Sequence, residues 1–267
     1  MVPQMVQVGN MNCAIIQARM SSTRLPGKVL MEVNGRPLLL YMIERLKGSE
    51  TIAKVVVATS SDESDNPLAK FCEANGVDCY RGSLDDVLDR YYQAAVKCKC
   101  ETVIRLTGDC PIIDPKVIDT VVRKFESGGY DFVANTAPPE NTTYPEGMDV
   151  EVFSFSALEK AWKDAKKPSD REHVTFYFWK NPGLFSTFRC DLDRNYSKYR
   201  VTVDYPMDFN VISDIITEFY PENKYYTMQE IIAFLDTHKE TMGKNSGIKP
   251  FSGWESSFRK DAQSDIT

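Results

Sequence analysis

A regular alternation of short apolar runs with amphipathic segments fills the first half of the chain, and it narrows the possible folds more than any other feature. The runs Cys13–Ala18, Lys54–Thr59, Asp78–Arg81, Thr102–Thr107 and Asp131–Asn135 are brief, apolar or β-branched, and end in polar or turn residues. These are the marks of buried strands. Helical patterns lie between them; in Pro37–Lys47, Leu38, Leu39, Met42, Ile43 and Leu46 form one apolar face. Asn66-Pro67 and Asp114-Pro115 each offer an N-cap followed by proline at the first helical position, and Gly76 supplies a stop for the helix begun at Asn66. Strands and helices alternating in this way predict an α/β domain, a three-layer sandwich whose central sheet is mostly parallel. In such sheets ligands bind outside the carboxyl ends of the strands. Arg19 and Asp109 each follow a predicted strand, so their side chains can reach one crevice although they are far apart in sequence.

The rhythm changes after Asn135. Ala137–Gly147, with three prolines and several Asn and Thr, reads as a loop. Asp149–Phe153 then alternates like a strand, Ser156–Ala165 and Ser169–Lys180 read as helices, and Thr187–Cys190 and Arg200–Val203 resume strands. Helices Pro206–Phe219 and Met228–Thr237 follow. One domain over 12–242 is expected, with 1–11 a flexible extension and 137–200 a subregion for the acceptor or for dimerisation. The tail 243–267 holds Phe251, Trp254 and Phe258, which can dock on the body or on a second subunit.

Composition removes several classes of function. The net charge of −6 speaks against broad nucleic-acid binding, which needs a basic surface, while leaving room for a local basic pocket. The seven cysteines are odd in number, include no CxxC, and Cys98-Lys-Cys100 is too tight for the usual zinc spacing, so reduced thiols are expected. No apolar run approaches the roughly 20 residues that span a bilayer, and Met1–Asn12 has no apolar core of a signal peptide. A cytoplasmic protein with no membrane partner is the expectation.

The segment Arg19-Met-Ser-Ser-Thr-Arg-Leu-Pro-Gly-Lys28 directly follows the first predicted strand. A nucleoside triphosphate needs such an arrangement, because cations neutralise phosphates while hydroxyls and backbone N–H groups fill the remaining acceptor sites. Arginine gives planar bidentate contacts and lysine a movable point charge. Composition alone fits a basic surface loop with a Pro-Gly turn equally well. The P-loop pattern is excluded, since Val29 stands where Ser or Thr is required.

Extended to Ile15-Ile-Gln-Ala-Arg-Met-Ser-Ser-Thr-Arg-Leu-Pro-Gly-Lys28, this stretch resembles the opening of the sugar-acid cytidylyltransferases. It is similar to the 3-deoxy-manno-octulosonate and acylneuraminate enzymes, and closer still to the spore coat polysaccharide SpsF group. The likeness continues in order through Arg81–Tyr92, Arg105–Pro115, Tyr144–Phe153, Arg171–Thr175 and Val203–Asp208. The resemblance implies a Rossmann-like, GT-A-like nucleotidyltransferase fold, CTP as substrate, a small sugar-like acceptor and Mg²⁺ as cofactor; a homodimer is expected. It implies that Gln17, Ala18, Arg19, Ser21, Ser22, Arg24, Lys28, Thr107 and Asp109 contact the nucleotide. Gly82 and Ser83 would approach the cytosine edge, with Arg90 supporting or contacting the nucleotide. Arg105, Asp149, Glu151, Glu172 and His173 would lie near the acceptor, and Asp109 and Asp204 would bind the metal.

Several of these residues also have a plainer reading. Asp109, at a strand end in Thr107-Gly-Asp-Cys-Pro111, suits Mg²⁺ but also the capping of a turn. Asp204, two residues before Pro206, fits a helix cap. Ser83 fits a cap for a helix starting near Asp85, Arg90 a surface position, and Arg105 a salt bridge. Asp149 and Glu151 would project from one strand face, where two buried acids call for a ligand or basic partners; a solvent-facing side is the alternative. Ser169-x-x-Glu172 matches a capping box, and His173 fits a satisfied core histidine.

The reaction these residues suit is attack by an acceptor oxygen on the α-phosphorus of CTP with loss of pyrophosphate, Arg19, Lys28 and Asp109 forming the catalytic set. A nucleotide-sugar glycosyltransferase is the rival, although no Asp-x-Asp ends a strand in the 100–110 region. A non-catalytic nucleotide-binding subunit is the third reading.

Overall fold

In a computed structural model that describes residues 11–249, the expected alternation becomes a layered α/β domain. In chain order the strands are β1 (Asn12–Gln17), β2 (Glu32–Val33), β3 (Arg36–Pro37), β4 (Lys54–Ser60), β5 (Asp78–Gly82), β6 (Thr102–Thr107), β7 (Phe132–Ala134), β8 (Glu151–Ser154) and β9 (Thr187–Arg189). The helices are α1 (Leu38–Leu46), α2 (Asn66–Ala74), α3 (Val87–Cys98), α4 (Pro115–Glu126), α5 (Phe155–Asp164), α6 (Pro168–Glu172), α7 (Phe176–Lys180), α8 (Pro206–Phe219), α9 (Met228–Thr237) and α10 (Lys239–Gly243). β2 and β3 pair with each other, and the other strands form one sheet in the order β5-β4-β1-β6-β8-β7-β9. β8 runs antiparallel to both its neighbours, while every other pairing in that sheet is parallel.

Alternation along the strands feeds two cores. Ala14 and Ile16 of β1 pack with α1, α2, α4, α8 and α9, whereas Cys13 and Ile15 pack with α3, α5 and α7. A central strand buried on both faces reads as an unbroken apolar run for this reason. Each wholly buried Ile, Leu or Phe contributes roughly 1.5–3 kcal/mol. The chain leaves β1 for β4 and β5 on one side, then returns to β6 on the other. That reversal of strand order opens a crevice beside the carboxyl end of β1.

Several local expectations are corrected. Ser169–Lys180 is two short helices, broken at His173–Thr175, where Val174 adopts φ 53. A β-branched residue at positive φ cannot continue a helix; full burial of Val174 in the α3-side core takes precedence over helical propensity. Ser169 therefore lies inside α6, whose N-cap position is held by Lys167; its hydroxyl accepts from Lys180 Nζ at 2.9 Å. Among the described residues Arg200–Val203 joins no sheet and makes a single bridge, between Arg200 and Glu146. Its backbone bonds loops together instead: Val201 N donates to Glu146 O at 2.7 Å and Val203 N to Asp109 O at 2.8 Å.

Asp149 precedes β8 rather than belonging to it. The Asn135 side chain supplies bonds there that a ladder would otherwise make, accepting from Val150 N at 2.8 Å and donating to Met148 O at 2.6 Å. Asn66 is the first helical residue, not the N-cap, because a 3-10 turn over Glu63–Asp65 leads into α2. Asp204 is not a helix cap either. Tyr205 holds that position, and Asp208 accepts from the N–H groups of Asp204 and Tyr205 at 3.0 Å each. At the far end Asn245 is buried against the body. Residues 1–10 of the expected extension, and Phe251, Trp254 and Phe258 of the tail, lie outside the described residues.

Candidate active site

The crevice is a cleft of about 1120 Å³. The loop after β1 contributes Gln17, Ala18, Arg19, Ser22, Arg24 and Lys28 to its lining, and the end of β6 contributes Thr107 and Asp109. Arg105, Asp149, Glu151, Glu172, His173 and Asp204 line it as well. Most of the residues singled out in the sequence thus meet in one space. Ser21, Gly82, Ser83 and Arg90 do not line it.

Local bonding fixes the basic loop. Gly27 takes φ 71 to start a 3-10 turn over Lys28–Leu30, a backbone setting that favours glycine. Gly27 N donates to Met20 O at 2.8 Å, and Met20 N donates to buried Asp65 at 2.6 Å. Lys28 Nζ then reaches Asp109 Oδ2 and Asp204 Oδ1 at 2.9 Å each. Arg24 reaches the same Asp204 oxygen at 2.6 Å. Burial would lower the Lys28 pKa, but the Asp109 and Asp204 charges raise it. Burial would likewise raise Asp109, yet the Lys28 ammonium and the Thr107 hydroxyl hold it down at about 2. Arg200 backs the site, 3.3 Å from Asp204, 2.8 Å from Asp208 and 2.6 Å from Glu146.

Two further acids, Asp149 and Glu151, line the cleft, and Cys110 Sγ lies between Asp109 at 3.7 Å and Asp149 at 3.9 Å. Arg105 pairs with Glu151 and donates to Gln17 Oε1 at 3.2 Å, so the salt-bridge reading holds and the residue still faces the cleft. Glu151 also accepts from Thr175 Oγ1 at 2.7 Å. Asp149 makes no ion pair among the described residues; it accepts from Gly147 N at 2.7 Å. Burial, then the charges of Asp109 and Glu151, raise its pKa despite the Thr136 and Gly147 hydrogen bonds. The His173 ring stacks on Phe176 at 4.3 Å. His238 stacks on Phe234 at 4.1 Å, away from the cleft lining.

Ser83 and Arg90 take supporting positions. Ser83 Oγ accepts from Asp86 N at 3.0 Å, and Asp86, not Ser83, is the N-cap of α3. Arg90 is 0% exposed, which overturns the surface reading, and its Nη1 donates to Ser83 O at 2.8 Å. Burial pushes the Arg90 pKa down. Sequence reasoning passed over Asp86, Glu146, Arg171 and Thr175, which line the cleft. Arg171 donates to Asp86 Oδ2 at 3.0 Å and to Trp162 O at 2.8 Å, tying α6 to the start of α3. Asp86, Glu146, Arg171 and Thr175 all lie within the quoted motif blocks, so the blocks were the signal for them.

Asp109 and Asp204 converge on one nitrogen, and an oxygen-ligated cation would need the same convergence. Among the described residues no group of three or more His, Cys, Asp or Glu gathers in metal-binding fashion. The pair therefore suits an ion such as Mg²⁺, which takes its remaining oxygens from water and substrate phosphates.

A mostly parallel sheet with a basic loop after its first strand and paired acids at the crevice defines an α/β nucleotidyltransferase of the Rossmann-like type. The cytidylyltransferase family model matches residues 13–237, and the chain belongs to that family of CTP-dependent enzymes. It is 34% identical over 207 residues to the spore coat polysaccharide biosynthesis protein SpsF of Bacillus subtilis, covering 74% of this chain and 83% of that one. It is 36% identical to an uncharacterized protein of Methanocaldococcus jannaschii, covering 88% of this chain and 94% of that one. A solved cytidylyltransferase from Leptospira borgpetersenii superposes with TM-score 0.83 at 34% identity, over 90% of this chain and 99% of that one. Among the described residues no helix is long and apolar enough to cross a membrane.

Proposed function

We propose that this enzyme transfers CMP from CTP to a hydroxyl of a sugar or sugar-acid acceptor and releases pyrophosphate, in the synthesis of a surface polysaccharide or glycoconjugate. One observation carries the reading: Lys28, Asp109 and Asp204 meet beneath the basic loop, at the point where the strand order reverses. The acceptor hydroxyl oxygen forms a bond to the α-phosphorus and releases its proton to water, as the bond from that phosphorus to the bridging β-phosphate oxygen breaks and its electron pair leaves with pyrophosphate. Arg19, Arg24 and Lys28 hold the triphosphate and stabilise the charge that builds on the leaving group. Gln17, Ala18, Ser22 and Thr107 complete the nucleotide side. Gly82 and Ser83 shape the cytosine end, with Arg90 bracing Ser83 O from behind. Arg105, Asp149, Glu151, Glu172 and His173 form the acceptor side.

Asp109 and Asp204 would hold Mg²⁺, which supplies charge neutralisation at the phosphates. The names of the relatives support the acceptor class, since SpsF serves a spore coat polysaccharide. The region 137–200 is assigned to the acceptor and to a homodimer contact. The test is incubation with CTP, Mg²⁺ and a panel of sugars and sugar acids. Release of pyrophosphate supports the reading; release of a nucleoside diphosphate from a nucleotide sugar points to glycosyl transfer instead. Asp109→Ala should keep the fold and lose about a hundredfold in pyrophosphate release, on the order of 3 kcal/mol. Near-normal turnover in that variant would remove Asp109 from the site.

A further inference from the structure

Lys28 stands in two relations at once. Its position in the basic loop points it to phosphate, yet its ammonium lies 2.9 Å from Asp109 Oδ2 and 2.9 Å from Asp204 Oδ1. Those two carboxylates are the ones that would hold a metal in this cleft. The side chain is deeply placed, since the residue is 8% exposed, so the ammonium is not one of many mobile surface charges. Among the described residues Asp109 has no other ion pair, whereas Asp204 also meets Arg24 at 2.6 Å and Arg200 at 3.3 Å.

We propose that Lys28 and a divalent cation compete for the Asp109–Asp204 pair, the lysine serving as a placeholder that a triphosphate draws away as the metal enters. The inference rests on the cytidylyl-transfer reading for the identity of that triphosphate. Two carboxylates facing one point repel unless a cation lies between them. An ammonium meets that need with a single charge on a flexible four-carbon stem, which can swing to a new partner without moving the backbone. A doubly charged ion and a buried ammonium cannot share the same oxygens at contact distance, because their mutual repulsion is poorly screened there. Phosphate oxygens offer Lys28 a second set of anionic partners. The carboxylates are thus neutralised before and after nucleotide binding, and metal is retained only together with a triphosphate. A cation deleted from a metal site ordinarily leaves metal affinity unchanged or lower if it merely supports the fold. Competition predicts the reverse.

The experiment titrates Mn²⁺ without nucleotide and reads bound ion by electron paramagnetic resonance, for the wild type, Lys28→Met, Lys28→Gln and Lys28→Arg. The neutral variants should bind Mn²⁺ at least tenfold more tightly than the wild type, and Lys28→Arg no more tightly than the wild type. Circular dichroism restricts the comparison to folded protein. Equal or weaker Mn²⁺ binding by the neutral variants overturns the proposal. A wild-type readout stands beside it: Mn²⁺ alone should leave the melting temperature unchanged, and a clear rise would mean that the ion binds despite Lys28. Pyrophosphate release from CTP by the wild type is followed separately. Its absence with every acceptor counts against cytidylyl transfer, while the metal titration still decides the competition.

Discussion

Asp149 and Asp109 share one cleft and differ in what surrounds them. Asp109 has Lys28 at 2.9 Å and is held at about 2, whereas Asp149 has no ion pair among the described residues and is raised by burial. A buried carboxylate with no cation beside it costs stability. Asp149→Asn keeps an acceptor for Gly147 N, so it should stabilise the protein by about 1 kcal/mol, a rise of roughly 2–4 °C in melting temperature. Pyrophosphate release should fall tenfold or more; calorimetry and the release assay check the two outcomes together. The pH dependence of Asp109 has the opposite sense. Its folded pKa of about 2 lies below the usual 3.8, so its stabilisation is present above about pH 4 and is lost as pH falls through about 2. The amount is of order 2 kcal/mol. Acid unfolding followed between about pH 4 and 2 should be shallower in Asp109→Asn than in the wild type.

At the scale of elements, what could be read depended on whether the cause was local. β6 and helices α8 and α9 match their expected ranges, because Pro206 opens α8 and Thr227 caps α9 through Glu230. Arg200–Val203 has strand-like residues, but its partners lie on the 144–148 loop and at Asp109, which no periodicity records. Gly147 makes that approach possible. It has φ +106, and a Cβ there would lie 2.5 Å from the carbonyl carbon and oxygen of Val201. Gly147→Ala should therefore part the two segments and displace Asp149. The expected loss is on the order of 3 kcal/mol or more, read from urea unfolding, with activity falling alongside. Full retention of stability would show that the contact between 147 and 201 is slack.

On the scale of the whole molecule, Arg200, Asp208 and Asn245 join the cleft to the end of the described chain. Asn245 Nδ2 donates to Asp208 Oδ1 at 2.9 Å and to Arg200 O at 3.2 Å. Asn245→Ala leaves a buried carboxylate short of a donor and should cost about 1–2 kcal/mol. An unchanged melting temperature in that variant would detach the tail from the site's support. The sequence by itself determined the layered α/β class, the cationic loop after β1 and the acid at the end of β6. Those features reside in apolar periodicity and in residues adjacent along the chain, which local sterics and burial act on directly. Only the tertiary structure decided that Lys28 meets Asp109 and Asp204 across 81 and 176 positions, that Arg90 is buried and that Asp149 has no ion pair among the described residues. Charge pairing between distant segments depends on which loops the packed sheet brings within a few ångströms, and no local pattern encodes that distance.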